Sequence, residues 1–175
     1  MSHEVKDLRQ LIRDIPDFPV EGILFRDITP LLANAQALAR AIDGLCEPFV
    51  GQGIDVVAAV EARGFIFGAA VARALGAGFV PIRKKGKLPF ETHSVSYGLE
   101  YGEDVVEVHT DAVAKETKVL MVDDLLATGG TMAAACELIE SLGGEIVGLT
   151  FLIELADLNG RQKLQEYDIH TVITY

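Results

Sequence analysis

Apolar runs and amphipathic stretches alternate along most of the chain. Strands are predicted where the side chains are continuously apolar or alternate, at residues 54–60, 79–82, 105–109, 118–122, 145–153 and 169–174. Helices are predicted where apolar residues have helical spacing, at residues 34–49, 64–76 and 132–142. Strands that alternate with helices are typical of an α/β fold, in which helices flank a mainly parallel, twisted sheet. The functional site of such a fold lies at the carboxyl ends of the strands.

Two segments depart from this alternation, residues 1–33 and residues 83–104. Between residues 8 and 15 the apolar side chains have helical spacing, which predicts an N-terminal helix that Pro16 ends. Residues 17–30 contain prolines and predict an extended arm. Residues 83–104 form a polar, glycine-containing insertion that is too long for a routine connection, so we expect it to be functional. No repeat or linker divides the sequence, which predicts a single domain over residues 1–175.

The composition predicts a globular protein of the cytoplasm. Half of the 175 residues are hydrophobic, enough for a substantial core. No apolar run is long enough to span a membrane, and the first residues do not form a secretion signal. Cys46 and Cys136 lie in helical patterns, so we expect no disulfide and a reducing compartment. The net charge of −11 argues against a nucleic-acid partner, because phosphate contacts require a basic surface.

The segment 119–132 contains the most informative chemistry. Its apolar run ends in Asp123 and Asp124, and the turn 128–131, Thr-Gly-Gly-Thr, then opens a predicted helix. Carboxylates bind sugar hydroxyls and hydrated magnesium, while a glycine-rich turn at a helix start offers backbone N–H groups to a phosphate. An isolated Asp-Asp pair is more often a solvated strand end, but its place beside this turn favours a ligand site. A ligand with both a ribose and a phosphate would satisfy both parts.

Basic residues at two further turns could bind anions. Arg63 lies in the turn 61–64 between a predicted strand and helix, where the alternative is a surface charge at a helix end. A cluster of Arg83, Lys84, Lys85 and Lys87 opens the insertion 83–104. Such a run is usually a solvated face. In so acidic a chain, directly after a predicted buried strand, it could instead neutralise a pyrophosphate.

Several segments together resemble the type I phosphoribosyltransferase family. Residues 119–132 resemble its phosphoribosyl pyrophosphate motif. The other matching segments are residues 25–30, 62–65, 83–89 and 97–102. They occur in order along essentially the whole chain and are most similar to the branch that uses adenine. The resemblance implies the type I phosphoribosyltransferase fold, with an N-terminal hood within residues 1–33 and a long flexible active-site loop at residues 83–104.

The resemblance also implies a role for individual residues. Asp123 and Asp124 would hold the ribose hydroxyls near a hydrated Mg²⁺, which they would bind through water. The 5′-phosphate would be bound by Ala127, Thr128, Gly129, Gly130 and Thr131. The pyrophosphate would be bound by Glu61, Ala62, Arg63, Arg83, Lys84 and Lys87. Ala62 stands where the family commonly has serine, which removes one hydroxyl donor but leaves the backbone donors.

The remaining implied roles concern catalysis and the base. Glu100, Arg63 and Lys84 are the predicted catalytic residues, with Glu100 as a candidate for proton transfer at the purine. Tyr101 would help to close the loop over the site. The adenine would be bound by the hood, at Leu24, Phe25 and Arg26, largely through main-chain groups.

The implied reaction converts adenine and 5-phosphoribosyl 1-pyrophosphate into AMP and pyrophosphate, with Mg²⁺, in a cytoplasmic homodimer. Two alternative functions remain, an enzyme that uses another base and a protein that is not an enzyme. A transferase for xanthine or orotate would share segment 119–132, but the hood and the pair Glu100-Tyr101 argue against it. A non-enzymatic sensor of phosphoribosyl pyrophosphate would need a nucleic-acid-binding surface, which the acidity of the chain disfavours.

Overall fold

The structure, a computed structural model, describes residues 8–99 and 102–175. The chain divides into two compact units, Met1–Gly44 and Leu45–Tyr175. Among the residues in these described ranges, no helix is both long and apolar enough to cross a membrane.

In the first unit, two short strands form an antiparallel pair. They are β1 (Arg13–Pro16) and β2 (Leu24–Asp27), with Ile15 opposite Phe25. The predicted helix is therefore wrong beyond residue 9, because residues 10–12 form a turn and residues 13–16 form β1. Local spacing favoured a helix, but β2 provides backbone hydrogen-bond partners that the local pattern could not indicate.

Two helices follow these strands, α1 (Thr29–Leu32) and α2 (Ala35–Cys46). Asn34, where the predicted helix began, caps α2: its Oδ1 accepts hydrogen bonds from the N–H groups of Gln36 and Ala37 at 3.1 and 3.0 Å. A short 3₁₀ turn then covers Glu47–Phe49, where the predicted helix also ended.

The second unit contains a seven-stranded sheet. Its strands are β3 (Val56–Val60), β4 (Gly78–Lys84), β5 (Thr92–Leu99), β6 (Gly102–His109), β7 (Lys118–Leu126), β8 (Glu145–Glu154) and β9 (Ile169–Thr174). Their order across the sheet is β5-β6-β4-β3-β7-β8-β9. The strands β4, β3, β7, β8 and β9 pair parallel to their neighbours, and β6 pairs antiparallel with both β4 and β5. The mainly parallel α/β sheet is thus confirmed.

Helices α3 (Gly64–Leu75) and α4 (Gly130–Ser141) pack against this sheet. Central strands such as β3 and β7 are almost wholly buried, as their apolar runs predicted. Gly76, where the predicted helix ended, caps α3 with φ +72°, a conformation that favours glycine. The turns that precede α3 and α4 directly follow the carboxyl ends of β3 and β7.

Most of the insertion 83–104 is strand in the structure. β4 extends to Lys84, and β5 pairs with β6 as a hairpin from Thr92 to His109. Val95 and Tyr97 on β5 pack against the core of the unit, which gives the hairpin an apolar attachment. Glu100 and Tyr101, for which catalysis and loop closure were predicted, lie outside the described residues.

Candidate active site

Asp123 and Asp124 lie within the last part of β7. The apolar pattern predicted that the strand ends at Val122, but Leu125 still pairs with Ile153 of β8. The strand is longer because β8 supplies partners beyond the point where β3 ends. Since side chains alternate along a strand, the two carboxylates leave opposite faces of β7. Asp124 is 5% exposed and Asp123 is partly exposed.

Burial and close charges determine the ionisation of this pair. The N–H of Asp124 donates to Oδ1 of Asp123 at 2.9 Å, and Nε of Arg63 lies 2.8 Å from Oδ2 of Asp124. Burial, reinforced by the charge of Asp124, raises the pKa of Asp123 well above its usual range. Burial also raises the pKa of Asp124, although Arg63 opposes the shift. Two such carboxylates favour a bound cation or hydroxyl donors, which would stabilise their charged forms.

The turn 61–64 approaches the acidic pair closely. A β-carbon built on Gly64 would lie only 2.7 Å from Oδ1 of Asp123, so a side chain there would displace the carboxylate. Glycine at this position thus lets α3 begin directly beside the strand end. The turn includes a cis peptide bond between Glu61 and Ala62. The structure therefore places Arg63 directly beside Asp124.

Glu61 links this turn to the end of β4. Its carboxylate accepts hydrogen bonds from Nη2 of Arg83 at 3.1 Å and from the N–H of Lys84 at 2.6 Å. Burial raises the pKa of Glu61, but these two donors lower it by more, so the pKa lies below its usual value. The other Arg83 nitrogen, Nη1, donates to the carbonyl of Lys87 at 3.1 Å. Four residues with a predicted pyrophosphate role are thus connected to one another.

A chain of polar contacts extends from Lys84 to the start of α4. Nζ of Lys84 lies 3.0 Å from Oδ2 of Asp104, which also accepts a 3.2 Å hydrogen bond from the hydroxyl of Tyr97. The Tyr97 oxygen in turn accepts one from Oγ1 of Thr131 at 3.3 Å. The hydrogen bond with Lys84 lowers the pKa of Asp104, and the same bond raises the pKa of Lys84. Sequence reasoning assigned no role to Tyr97 or Asp104, because their contacts depend on the pairing of β5 with β6.

The turn before α4 surrounds a cavity of about 90 Å³. It is lined by Asp123 and by residues 125–132, which include all five predicted phosphate-binding residues. Gly129 has φ +76° and precedes the first helical residue, Gly130. A β-carbon on Gly129 would lie 2.4 Å from the carbonyl oxygen of Gly160. The turn is therefore held tightly against a neighbouring backbone, with its helix N-terminus directed at the cavity.

We expect Gly129→Ala to destabilise the protein and Gly130→Ala to leave its stability almost unchanged. At Gly129 the methyl group meets the Gly160 carbonyl and the positive φ is strained, so the free energy of unfolding should fall by about 2–3 kcal/mol. At Gly130 the nearest atom would be 3.6 Å away, so stability should stay within about 1 kcal/mol of the unchanged protein. Urea unfolding of both variants measures the difference. Equal losses would contradict the packing described for this turn.

The residues predicted to bind adenine belong to the first unit. Leu24, Phe25 and Arg26 lie on β2 in the first unit, where Arg26 pairs with Asp14 and the ring of Phe25 contacts that of Phe18 edge-on at 5.1 Å. Within the described ranges, no group of three or more His, Cys, Asp or Glu side chains is arranged to hold a metal ion. The acidic pair supplies two neighbouring carboxylates at this site.

Comparison with known proteins places this geometry in context. Residues 27–174 match the phosphoribosyl transferase domain model. The chain is 56% identical to the adenine phosphoribosyltransferase of Rhodopirellula baltica, over 97% of this chain and 82% of that protein. It is likewise 56% identical to the enzyme of that name from Pseudothermotoga lettingae, over 97% of this chain and 99% of that protein.

Solved structures agree with these sequence similarities. The adenine phosphoribosyltransferase of Thermoanaerobacter pseudethanolicus superposes with a TM-score of 0.95 at 52% identity, over 98% of this chain and 99% of that one. The Saccharomyces cerevisiae enzyme, complexed with adenine and D-2,5-dideoxy-2,5-imino-altritol 1,6-bisphosphate, superposes with a TM-score of 0.93 at 40% identity, over 98% and 99% of the two chains.

Proposed function

The chain belongs to the phosphoribosyl transferase family, and on this premise we propose how its residues perform the reaction. It is an enzyme of purine salvage that transfers the phosphoribosyl group of 5-phosphoribosyl 1-pyrophosphate to adenine, giving AMP and pyrophosphate. The observation that supports our assignment of roles best is the close packing of two turns. The Arg63 turn contacts both acids of the pair, and Asp123 also lines the cavity of the turn 127–131.

Asp123 and Asp124 accept hydrogen bonds from the ribose hydroxyls in our proposal. Their raised pKa values support it, because hydroxyl donors lower the free energy of the charged carboxylates. The 5′-phosphate then lies in the cavity of residues 127–131, where backbone N–H groups and the α4 dipole favour an anion. The ribose and the 5′-phosphate of one ligand are thereby bound by residues that are close together in the sequence.

The pyrophosphate is bound by Arg63 and Lys84, together with Arg83, Lys87 and the backbone of Glu61 and Ala62. During transfer the bond from the anomeric carbon to the pyrophosphate oxygen breaks, and the electron pair leaves with the pyrophosphate. Positive charge builds on the ribose until N9 of adenine attacks that carbon and loses its proton, for which Glu100 is the proposed acceptor. Cations at the leaving group and a fixed ribose lower the barrier.

We propose that Mg²⁺ assists this step. The donor set fits the ion, because two neighbouring carboxylates offer the oxygen ligands that hydrated Mg²⁺ accepts. Their mutual repulsion and burial would be offset by a divalent charge. Asp123 and Asp124 would hold the ion through water, and its charge would help to stabilise the departing pyrophosphate.

The base and the assembly complete the proposal. Leu24, Phe25 and Arg26 in the hood bind adenine, and Tyr101 closes the insertion 83–104 over the site. The resemblance to the family supports these roles, as it does a cytoplasmic homodimer of one functional domain without nucleic-acid or membrane partners.

An assay with several free bases tests the function. The protein is incubated with 5-phosphoribosyl 1-pyrophosphate, Mg²⁺ and adenine, xanthine or orotate, and pyrophosphate release is measured. With adenine, we expect pyrophosphate and AMP to form in equal amounts, because the base replaces the pyrophosphate at one carbon. Release with xanthine or orotate but not adenine would reject the proposed substrate. Binding of 5-phosphoribosyl 1-pyrophosphate without release for any base would indicate a sensor.

A further inference from the structure

A short segment between β8 and β9 packs against the phosphate-binding turn. It is a 3₁₀ helix, Gly160–Lys163. A β-carbon on Gly160 would lie 2.3 Å from the carbonyl oxygen of Ala127, and one on Gly129 would lie 2.4 Å from the carbonyl oxygen of Gly160. The two backbones therefore approach each other more closely than side chains would permit.

An ion pair fixes this segment to the sheet. Nε and Nη2 of Arg161 lie 2.7 and 2.8 Å from the two carboxylate oxygens of Glu154, at the end of β8. Nη1 of Arg161 also donates to the carbonyl of Ile169 on β9 at 3.2 Å. Glu154 is buried, and the hydrogen bonds from Arg161 lower its pKa despite the burial. The bidentate contact gives the segment a defined position next to the turn.

This position brings an ammonium group to the start of α4. Nζ of Lys163 lies 3.6 Å from the point that a β-carbon on Gly130 would occupy. Within the described part of the chain, no carboxylate lies within 4 Å of this ammonium group. Lys163 is thus a cation beside the turn that forms no ion pair among the described residues, although Glu137, Glu140 and Glu166 line a cavity together with it.

The phosphate site needs such a cation. Among the described residues that line its cavity, Asp123 is the only charged one, and its charge is negative. A phosphomonoester is mostly a dianion at neutral pH, and the partial charge of a helix N-terminus alone offsets only part of it. The chain as a whole is strongly acidic, so its overall field does not attract the ligand.

We propose that Lys163 is a binding residue for the 5′-phosphate. Its ammonium group donates a charge-assisted hydrogen bond to a phosphate oxygen from the side of Gly130, while the turn donates its backbone N–H groups. This inference rests on the proposed placement of the 5′-phosphate and adds a side-chain cation to a site otherwise built from backbone and hydroxyl donors. The ligand class it recognises is a phosphomonoester.

Inhibition by two separate fragments of the substrate tests the proposal. Lys163→Gln, Lys163→Arg and the control Lys115→Gln are compared in the full-length enzyme; Lys115 is a surface lysine whose side chain is 86% exposed. Ribose 5-phosphate probes the phosphate turn, and inorganic pyrophosphate probes the Arg63 turn. For Lys163→Gln we expect the inhibition constant of ribose 5-phosphate to rise about 10-fold or more, and that of pyrophosphate to change less than about 2-fold.

The two other variants make the expected result specific. Lys163→Arg should restore most of the affinity for ribose 5-phosphate, because it keeps the charge, and Lys115→Gln should alter neither constant. An unchanged constant for ribose 5-phosphate in Lys163→Gln would overturn the proposal, and so would equal weakening for both fragments, which would indicate a general loss of charge or structure. If the unchanged protein forms no AMP, the proposed function fails together with this inference. Normal AMP formation with an unaffected Lys163→Gln rejects this inference alone.

Discussion

The variant with Asp123→Asn and Asp124→Asn is expected to lose AMP formation by a factor of at least about 10³ while it remains folded. Asparagine keeps the size of each side chain and one acceptor oxygen, but it removes both negative charges. The ribose hydroxyls and the hydrated Mg²⁺ then lose the groups that favour them. A coupled assay of AMP formation measures the loss, and circular dichroism measures the fold. Near-normal activity would exclude the acidic pair from the mechanism.

The same variant should also change how stability depends on pH. Because the pKa of Asp123 is raised in the folded protein, the folded state binds more protons than the unfolded state above about pH 4. The free energy of unfolding of the unliganded protein should therefore fall as the pH rises through this range. In the double variant that part of the decrease should disappear. Asp111→Asn, at an exposed position, serves as the control and should keep the original pH dependence.

Arg63→Gln is expected to have the second-largest effect. It removes a cation proposed to bind pyrophosphate, so kcat/KM should fall about 100-fold, and it leaves the carboxylate of Asp124 buried without this counter-charge. The free energy of unfolding at about pH 8 should decrease by about 2 kcal/mol. The deficit should shrink as the pH falls towards about 4, because protonation of Asp124 removes the buried charge. Urea unfolding at both pH values measures this dependence.

An arginine at the other end of α3 provides the control for this prediction. Arg73 lies exposed in the last turn of α3, and Arg73→Gln should change neither kcat/KM nor the pH dependence of stability. A loss of stability in Arg63→Gln that is the same at both pH values would indicate lost packing. The contact between Arg63 and Asp124 would then have no electrostatic role in the folded protein.

The sequence predicted those parts of the fold that local patterns determine. The buried strands β3 and β7 were identifiable because continuous apolar runs require burial on both faces. Asn34 and Gly76 marked helix ends by their own side-chain and backbone properties. β1 was missed because its strand depends on pairing with β2. Strand β5 was missed for the same reason, because nothing within residues 92–99 indicates that this segment will pair with β6.

The residues of the site, too, could be predicted only where they are close together in the sequence. Asp123, Asp124 and the turn 127–131 are contiguous, so their chemistry was readable from one segment. Gly160 and Lys163 come close to that turn only through the path of the chain after β8. Their types, one glycine and one surface lysine, are common in any acidic globular protein. Residues of this kind become functional candidates only when the packing around them is known.

A crystal structure of the enzyme with AMP bound would test the central claim most directly. Our account predicts that the ribose hydroxyls of AMP lie within hydrogen-bond distance of Asp123 and Asp124. It also predicts that the 5′-phosphate occupies the cavity of residues 127–131. A 5′-phosphate bound elsewhere on the enzyme, with the acidic pair distant from the ribose, would contradict the account.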